Sequence, residues 1–386
     1  MADAHALARD TAALVQVPSL TGDERGALER LGDLAWDLGL EAELRTHDLA
    51  ALREHPGHPG EEAPRTDLHG LVVRAGEGER RLALCGHVDV VAAGTEPWAR
   101  SPFSGHVDAE FVHGRGSVDM KGGVVAALHA MAAARDAGVR VELVAVGSEE
   151  DGGLGAFAAL QEDAAYDGCV IPEPTGFDVV CAQAGALTFT GVVPGRGAHA
   201  AHRLEGESAI DKYVPVHAAL HALEARLNAG VEHELMRELE LPYPLLVGRL
   251  AAGAWSSSVP DRLEFEGRAP VRVGEDVAAA RAAVEQAVRE ACPDATLEWT
   301  GGQFASGATP HDHPLVALVR EAVGPGARLA GVPWGADMRL WCAAGVPTVM
   351  VGTSGIELAH AVDERVRIDE LARLTDVLER VIRGFA

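Results

Sequence analysis

The stretch 82–130, LALCGHVDVVAAGTEPWARSPFSGHVDAEFVHGRGSVDMKGGVVAALHA, constrains the fold more than any other. A short apolar run stops at His87 and Asp89, and Asp119 follows in a Gly-rich turn that opens a small-residue helix expected over 122–137. A short apolar run, a polar turn and a helix in succession are the repeating parts of an α/β sheet whose strands are buried on both faces. The pattern returns at 139–146, 168–171 and 348–351, where further apolar runs end at the turn Gly147-Ser148-Glu149-Glu150-Asp151-Gly152-Gly153, at Pro172-Glu173-Pro174-Thr175, and at a Gly-rich loop before His360. In open α/β sheets the carboxyl ends of the strands line the ligand crevice, so groups far apart in sequence converge there.

The remaining segments fill in a two-domain plan. Apolar positions at helical spacing predict a helix over 4–15, and Thr21 with Glu24 reads as a T-x-x-E capping box opening a second helix to about Leu38. Pro, Gly, His and charge make 46–67 a loop, followed by strands near 69–74 and 82–85 and a hairpin within 103–116. From 186 to 300 the texture changes: a strand at 187–193, a helix at 208–227, strands at 245–253 and 262–271, a helix at 276–291 and a strand at 296–300. That β-α-β-β-α-β order is the order of a ferredoxin-like α/β sandwich. Helices at 314–322, 337–344 and from Asp369 onward then resume the first pattern, so residues 1–185 and 301–386 form one mixed-sheet domain interrupted by another.

Composition narrows the function. The chain has 386 residues, of which 47% are hydrophobic, enough for two buried cores. A formal net charge of -25 disfavours nucleic acid and anionic membranes, which need a basic face. No run is long enough for a membrane span, and MADAHALARD lacks the basic-then-apolar signal-peptide pattern, so the cytoplasm is the expected location. Five scattered cysteines without a CxxC pair read as core residues rather than a disulfide framework. Lys121, in MKGG, is one of only two lysines in the chain.

One crevice holding His87, Asp119, Glu149, Glu150, Glu173 and His360 suggests a divalent-metal site. Two imidazoles and three carboxylates can complete two zinc shells when one carboxylate bridges. Asp89, two residues past His87, can accept the other ring N–H and fix the tautomer. Taken singly, each residue has a plainer reading: Asp119 as a helix N-cap, Glu149 and Glu150 as a solvated turn, Glu173 as a rigid-loop residue, and any of the 17 histidines as a surface or core group.

Taken together, GHVDVVAAG, Trp98 with SPF, GRGSVDMKGG, GSEEDGGLG, PEPTG, GRGAHAAH, VPDRLEFEGR, GADMRL and HAVDERV resemble the M20 metallopeptidase and deacylase family, which includes acetylornithine deacetylase, succinyl-diaminopimelate desuccinylase and glutamate carboxypeptidase. The resemblance implies a zinc-exopeptidase-like catalytic domain interrupted by a lid and dimerisation domain, two Zn2+ per subunit (Co2+ or Mn2+ being alternatives), and a homodimer. It implies that Asp119 bridges the metals, His87 and Glu173 complete one shell, and Glu150 and His360 the other. It makes Asp89 the orienting carboxylate, Glu149 the general base and acid for a metal-activated water, and His199 an oxyanion donor reaching a partner subunit, with His202 a rival. Arg268 and Arg339 match positions that hold or support a substrate carboxylate, with a structural ion pair the other reading of each, and the Asp119–Met120 bond is expected to be cis. AWSSSVPD replaces the family's common Asn-Val-Ile-Pro run, a variant that resembles the acetylornithine deacetylase side. The expected reaction is hydrolysis of an N-acyl amino acid. The alternatives are a dipeptidase or carboxypeptidase of the same architecture and, more remotely, a non-catalytic metal-binding homologue.

Overall fold

A computed structural model describes residues 2–386. The chain forms two compact units, the first running to Cys181 and including Ala308–Ala330 and Ala336–Ala386, the second comprising Ala182–Gly307 with Gly331–Gly335.

The first unit is built on a mixed sheet. Its strands lie in the order Glu41–Thr46, His69–Ala75, Arg140–Val146, Arg81–His87, Gly168–Ile171, Thr348–Met350, Val179–Gln183 and Gly307–Ala308, with Leu329–Val332 pairing beside Val179–Gln183. The four strands from Arg140–Val146 to Thr348–Met350 are parallel, and antiparallel pairs flank them. Strands buried on both faces cannot alternate polar and apolar residues, which is why they read as continuous apolar runs. Being parallel, all four end on one edge of the sheet. The strand Arg81–His87 terminates on His87 opposite Val146, and Gly168–Ile171 terminates one residue before Pro172-Glu173.

The helix Gly122–Ala133 starts directly after the Asp119 turn and packs against the C-terminal helix Ile368–Phe385. Val124, Val125 and Leu128 of this helix are fully buried, each adding about 1.5–3 kcal/mol of hydrophobic stabilisation. This packing anchors the turn that presents Asp119.

Two local expectations fail for tertiary reasons. Segment 46–67 is not a plain loop: it contains the helix Leu49–Glu54, which Asp48 caps by accepting from the Ala51 amide at 3.1 Å, and whose Leu49 and Leu52 pack with Leu68, Leu154 and Phe157. The T-x-x-E capping box does not form. The helix Arg25–Asp37 has no side-chain cap, because Thr21 donates its hydroxyl to Asp89 at 3.1 Å while Glu24 accepts from the Gly22 amide and pairs with Arg65. Both side chains that could close the box are taken by partners elsewhere.

In the second unit the strands Leu246–Ala252, Arg262–Val271, Gly185–Pro194 and Thr296–Phe304 form an antiparallel sheet in that order. The helices Ala209–Asn228 and Val277–Ala291 cover it, burying Phe189, Val193, Val216, Leu220, Leu263, Phe265, Val284 and Val288. This strand order and connectivity are those of the ferredoxin-like sandwich. No described helix is long and apolar enough to cross a membrane.

Candidate active site

His87 is 1% exposed at the end of its strand, and its ring bonds fix which nitrogen faces the crevice. Nδ1 donates to the Asp89 carbonyl oxygen at 2.9 Å, leaving Nε2 3.2 Å from Asp119 Oδ1 and 3.9 Å from Glu173 Oε1. Burial alone would lower the His87 pKa; its contacts with Asp119 and Asp89 outweigh burial and hold it well above the usual imidazole value.

The other oxygen of Asp119 faces a second group. Oδ2 lies 3.7 Å from His360 Nε2, which in turn lies 3.1 Å from Glu150 Oε2. His87, Asp119 and Glu173 therefore offer one set of ligand atoms, and Asp119, Glu150 and His360 another, with Asp119 common to both. The Asp119–Met120 peptide bond is cis. The His360 side chain is 53% exposed and its backbone is left-handed, at φ 61°.

The nearest acceptor for the His87 ring N–H is the Asp89 backbone carbonyl rather than its carboxylate. The carboxylate is 3.5 Å from His87 Nδ1, and its two oxygens accept from the amides of Glu149 and Glu150, each at 3.2 Å. It thus clasps the turn that carries both glutamates. Asp151 holds the far side of that turn: it accepts from the Ser148 hydroxyl and from the Glu62 and Ala63 amides, and pairs with the buried Arg65.

Burial, then the charges of Asp337, Glu173 and Glu150, push the Glu149 carboxyl well above its usual range, against the opposing pull of His87. Burial and the neighbouring Asp119 do the same to Glu173, and burial raises Glu150. A dense set of buried carboxylates with raised pKa values is an arrangement that positive charge would stabilise, and a carboxyl shifted toward neutrality suits proton transfer. Lys121 does not supply that charge, since its Nζ donates to the carbonyls of Leu14 and Val17 at 3.2 and 2.9 Å, and burial lowers it to about 7.

Of the two readings of Arg339, a contact to a substrate carboxylate and a structural role, its surroundings favour the second. The residue is 3% exposed and donates from Nη2 to the Gly152 carbonyl at 2.6 Å. Burial lowers it to about 10, against Asp337 and Glu149, and burial raises Asp337 to about 6. A side chain with almost no exposed surface braces the turn bearing Glu149 and offers no fork to a ligand. Gly153, at φ 76°, belongs to this contact: a Cβ there would lie 2.5 Å from Asp337 Oδ1.

His199 and Arg268 belong to the second unit. His199 is exposed, its Nδ1 accepts from the Ala201 amide at 3.2 Å, and it forms an isolated bridge with Ser258 of the AWSSSVPD segment. His202 is exposed beside it, and Arg268 is exposed on the strand Arg262–Val271, opposite Leu246 and Thr188.

Sequence reasoning assigned no role to Arg65, Asp151, Arg115 or Glu364. The last two sit inside GRGSVDMKGG and HAVDERV, so the signal was a charged residue within a ligand-bearing motif. Arg65 had no comparable sign.

Residues 83–384 match the family model described as peptidase family M20/M25/M40. Among curated relatives, a succinyl-diaminopimelate desuccinylase from Methylobacterium nodulans is 30% identical over 401 residues, covering 97% of this chain and 95% of that protein. Among solved structures, an M20 family metallo-carboxypeptidase from Sulfolobus solfataricus aligns over 100% of this chain and 99% of its own, with a TM-score of 0.76 at 16% identity. A Bacillus subtilis protein described as a dinuclear metal-binding peptidase of the M20 family aligns over 99% and 98%, with a TM-score of 0.65 at 16% identity. With most of its length matched by the family model, the chain belongs to peptidase family M20/M25/M40 and is a hydrolase of amide bonds.

Proposed function

We propose that this hydrolase removes a small acyl group from the nitrogen of an amino acid, using two divalent cations held by His87, Asp119, Glu150, Glu173 and His360. The observation that carries the reading is the pair of ligand groups sharing Asp119, one oxygen of which faces each imidazole. Imidazole nitrogen with carboxylate oxygen suits zinc first, with cobalt or manganese as substitutes. When bound, such cations lower the pKa of a water and polarise the substrate carbonyl.

The chain's own residues do the rest. Glu149, buried and with its carboxyl pushed upward, takes a proton from the attacking water at its carboxylate and returns it to the departing amine. Asp89 holds Glu149 in place through its amide and holds the His87 ring through Nδ1. His199 supplies a donor for the developing oxyanion in a partner subunit's site, and the Arg268 guanidinium receives the substrate carboxylate. Asp337 and Arg339 position the turn on which Glu149 sits.

The second unit acts as lid and dimerisation domain. Its outer strand Leu246–Ala252 leaves one edge unpaired among the described residues and exposes Leu246 at 64% and Leu250 at 51%, a surface suited to a second copy. The assembly proposed is a homodimer, and the location proposed for it is the cytoplasm. The names of the curated relatives make succinyl the acyl group to try first, ahead of the acetyl group suggested by AWSSSVPD.

A panel of N-succinyl and N-acetyl amino acids set against dipeptides tests the proposal on zinc-loaded protein. Turnover of the acyl substrates, reduced about 10²–10⁴-fold by Glu149→Ala with the metal content intact, is the expected result. Hydrolysis of dipeptides alone would refute the acyl assignment.

A further inference from the structure

The strands Phe111–His113 and Arg365–Arg367 pair antiparallel, with Arg365 opposite His113 and Arg367 opposite Phe111. Chain leaving the first strand passes Arg115 and reaches Asp119; chain entering the second passes His360 and then Glu364. This ladder therefore brings together the loops that carry the shared carboxylate and the exposed imidazole. Arg115 and Glu364 join those loops.

Their side chains are 2% and 1% exposed, and Arg115 Nη1 donates to Glu364 Oε2 at 2.7 Å. Glu364 Oε1 accepts from the amides of Val118 and Asp119 at 3.0 and 3.2 Å. On the other side the guanidinium donates to the carbonyls of Ala361 at 3.2 Å and His360 at 3.1 Å, while its face lies 5.1 Å from the centre of the Trp98 ring. Neither residue supplies a ligand atom to either metal group.

Burying such a pair carries a desolvation cost that a hydrophobic pair of similar volume would avoid. A hydrophobic pair would lack directional bonds to two backbone segments. Here those bonds fix two of the three residues in the Asp119–Glu150–His360 group. In the other group they reach only Asp119, because His87 and Glu173 are carried by strand ends.

We propose that the Arg115–Glu364 pair is a positioning device that sets Asp119 against His360, so that cation binding by Asp119, Glu150 and His360 depends on it more than binding by His87, Asp119 and Glu173. This rests on the metal reading proposed above.

The test is a titration of chelator-stripped, full-length protein with Zn2+ in competition with a chromophoric chelator, giving a dissociation constant for each ion. The visible spectrum of successive Co2+ equivalents reports the geometry at each group. Wild-type protein that fails to bind two ions would refute the metal reading itself, independently of the pair. With two ions bound, Glu364→Gln, which removes the charge at constant shape, is expected to weaken about 10–100-fold the same ion that His360→Ala weakens and to alter the cobalt spectrum of that ion, with the other little changed. Arg115→Lys keeps the charge but loses the planar fork that spans the carboxylate and two carbonyls, so it is expected to act in the same direction. The double variant should cost no more than the larger single one, because the two residues act as a unit. Equal weakening of both ions, or no weakening in a folded variant, would overturn the inference. If Glu364→Gln does not fold, Arg115→Lys carries the test alone.

Discussion

The two ligand groups share Asp119 but differ in how they are built. His87 and Glu173 are 1% and 4% exposed and issue from parallel strands whose ends the sheet aligns. His360 is half exposed, follows a short 3-10 turn, and is held through its carbonyl by Arg115. The first group is organised by the core, and its removal disturbs the core. The second is organised by loop contacts and can change with little effect on the rest of the unit.

The largest expected effect comes from contrasting His87→Ala with His360→Ala. Without His87, Asp119 and Glu173 keep their buried carboxylates and lose the imidazole beside them, so metal-free stability in denaturant should fall by about 3–5 kcal/mol. His360→Ala removes a largely exposed contact and should cost about 1 kcal/mol or less while still lowering the affinity for the ion at its own group. Equal stability losses would remove the distinction between the groups.

A smaller effect is expected from pH. In metal-free protein, burial holds Glu149, Glu150 and Glu173 above the usual carboxylate range. Contact with Glu150 raises His360, and contacts with Asp119 and Asp89 outweigh burial to raise His87. All five groups bind protons more tightly folded than unfolded. The stability they contribute is fully present below their unfolded pKa values and is lost as pH rises through the folded ones. Metal-free Tm should therefore fall as pH rises above the ordinary carboxylate range and through the raised folded values. Ligands must release those protons to bind metal, so the rise in Tm on adding zinc should grow over the same interval. A zinc-induced rise that is constant across that range would contradict the protonation pattern.

The smallest effect is expected at Thr21. Thr21→Val removes the hydroxyl bond to Asp89 but leaves the clasp on the Glu149 and Glu150 amides, so stability should drop by about 1 kcal/mol and kcat should fall only slightly. A loss of turnover as large as that of a ligand substitution would mean that Asp89 depends on this one bond.

These contrasts also show what the sequence could and could not reveal. Buried parallel strands write themselves as apolar runs, and their ends must open on one edge, so the positions of His87, Glu149, Glu150 and Glu173 were legible from local pattern. The inserted sandwich was legible because its β-α-β-β-α-β order breaks the alternation of apolar strand and helix on either side of it. Thr21 and Glu24 misled because a correct local motif was overridden by Asp89 and Arg65, neither of which is near in sequence. Arg65 with Asp151, and Arg115 with Glu364, are separated by 86 and 249 residues, and no periodicity links such partners. For Arg339 the sequence left open a substrate carboxylate or a structural pairing, and its burial and bond to the Gly152 carbonyl favour the structural role.

The long excursion into the second unit begins after Cys181 and ends at Ala308, and the Thr309 amide donates to the Cys181 carbonyl at 2.9 Å; Gly331–Gly335 adds a second, short one. Because the two ends of the long excursion are adjacent, the stretch between them can change in length without shifting the register of the strands beside which His87, Glu150 and Glu173 stand. The five residues proposed to hold the cations all lie outside that stretch, whereas His199 and Arg268 lie within it, so a change confined to the insert reaches the proposed substrate contacts while leaving the cation-holding groups in place.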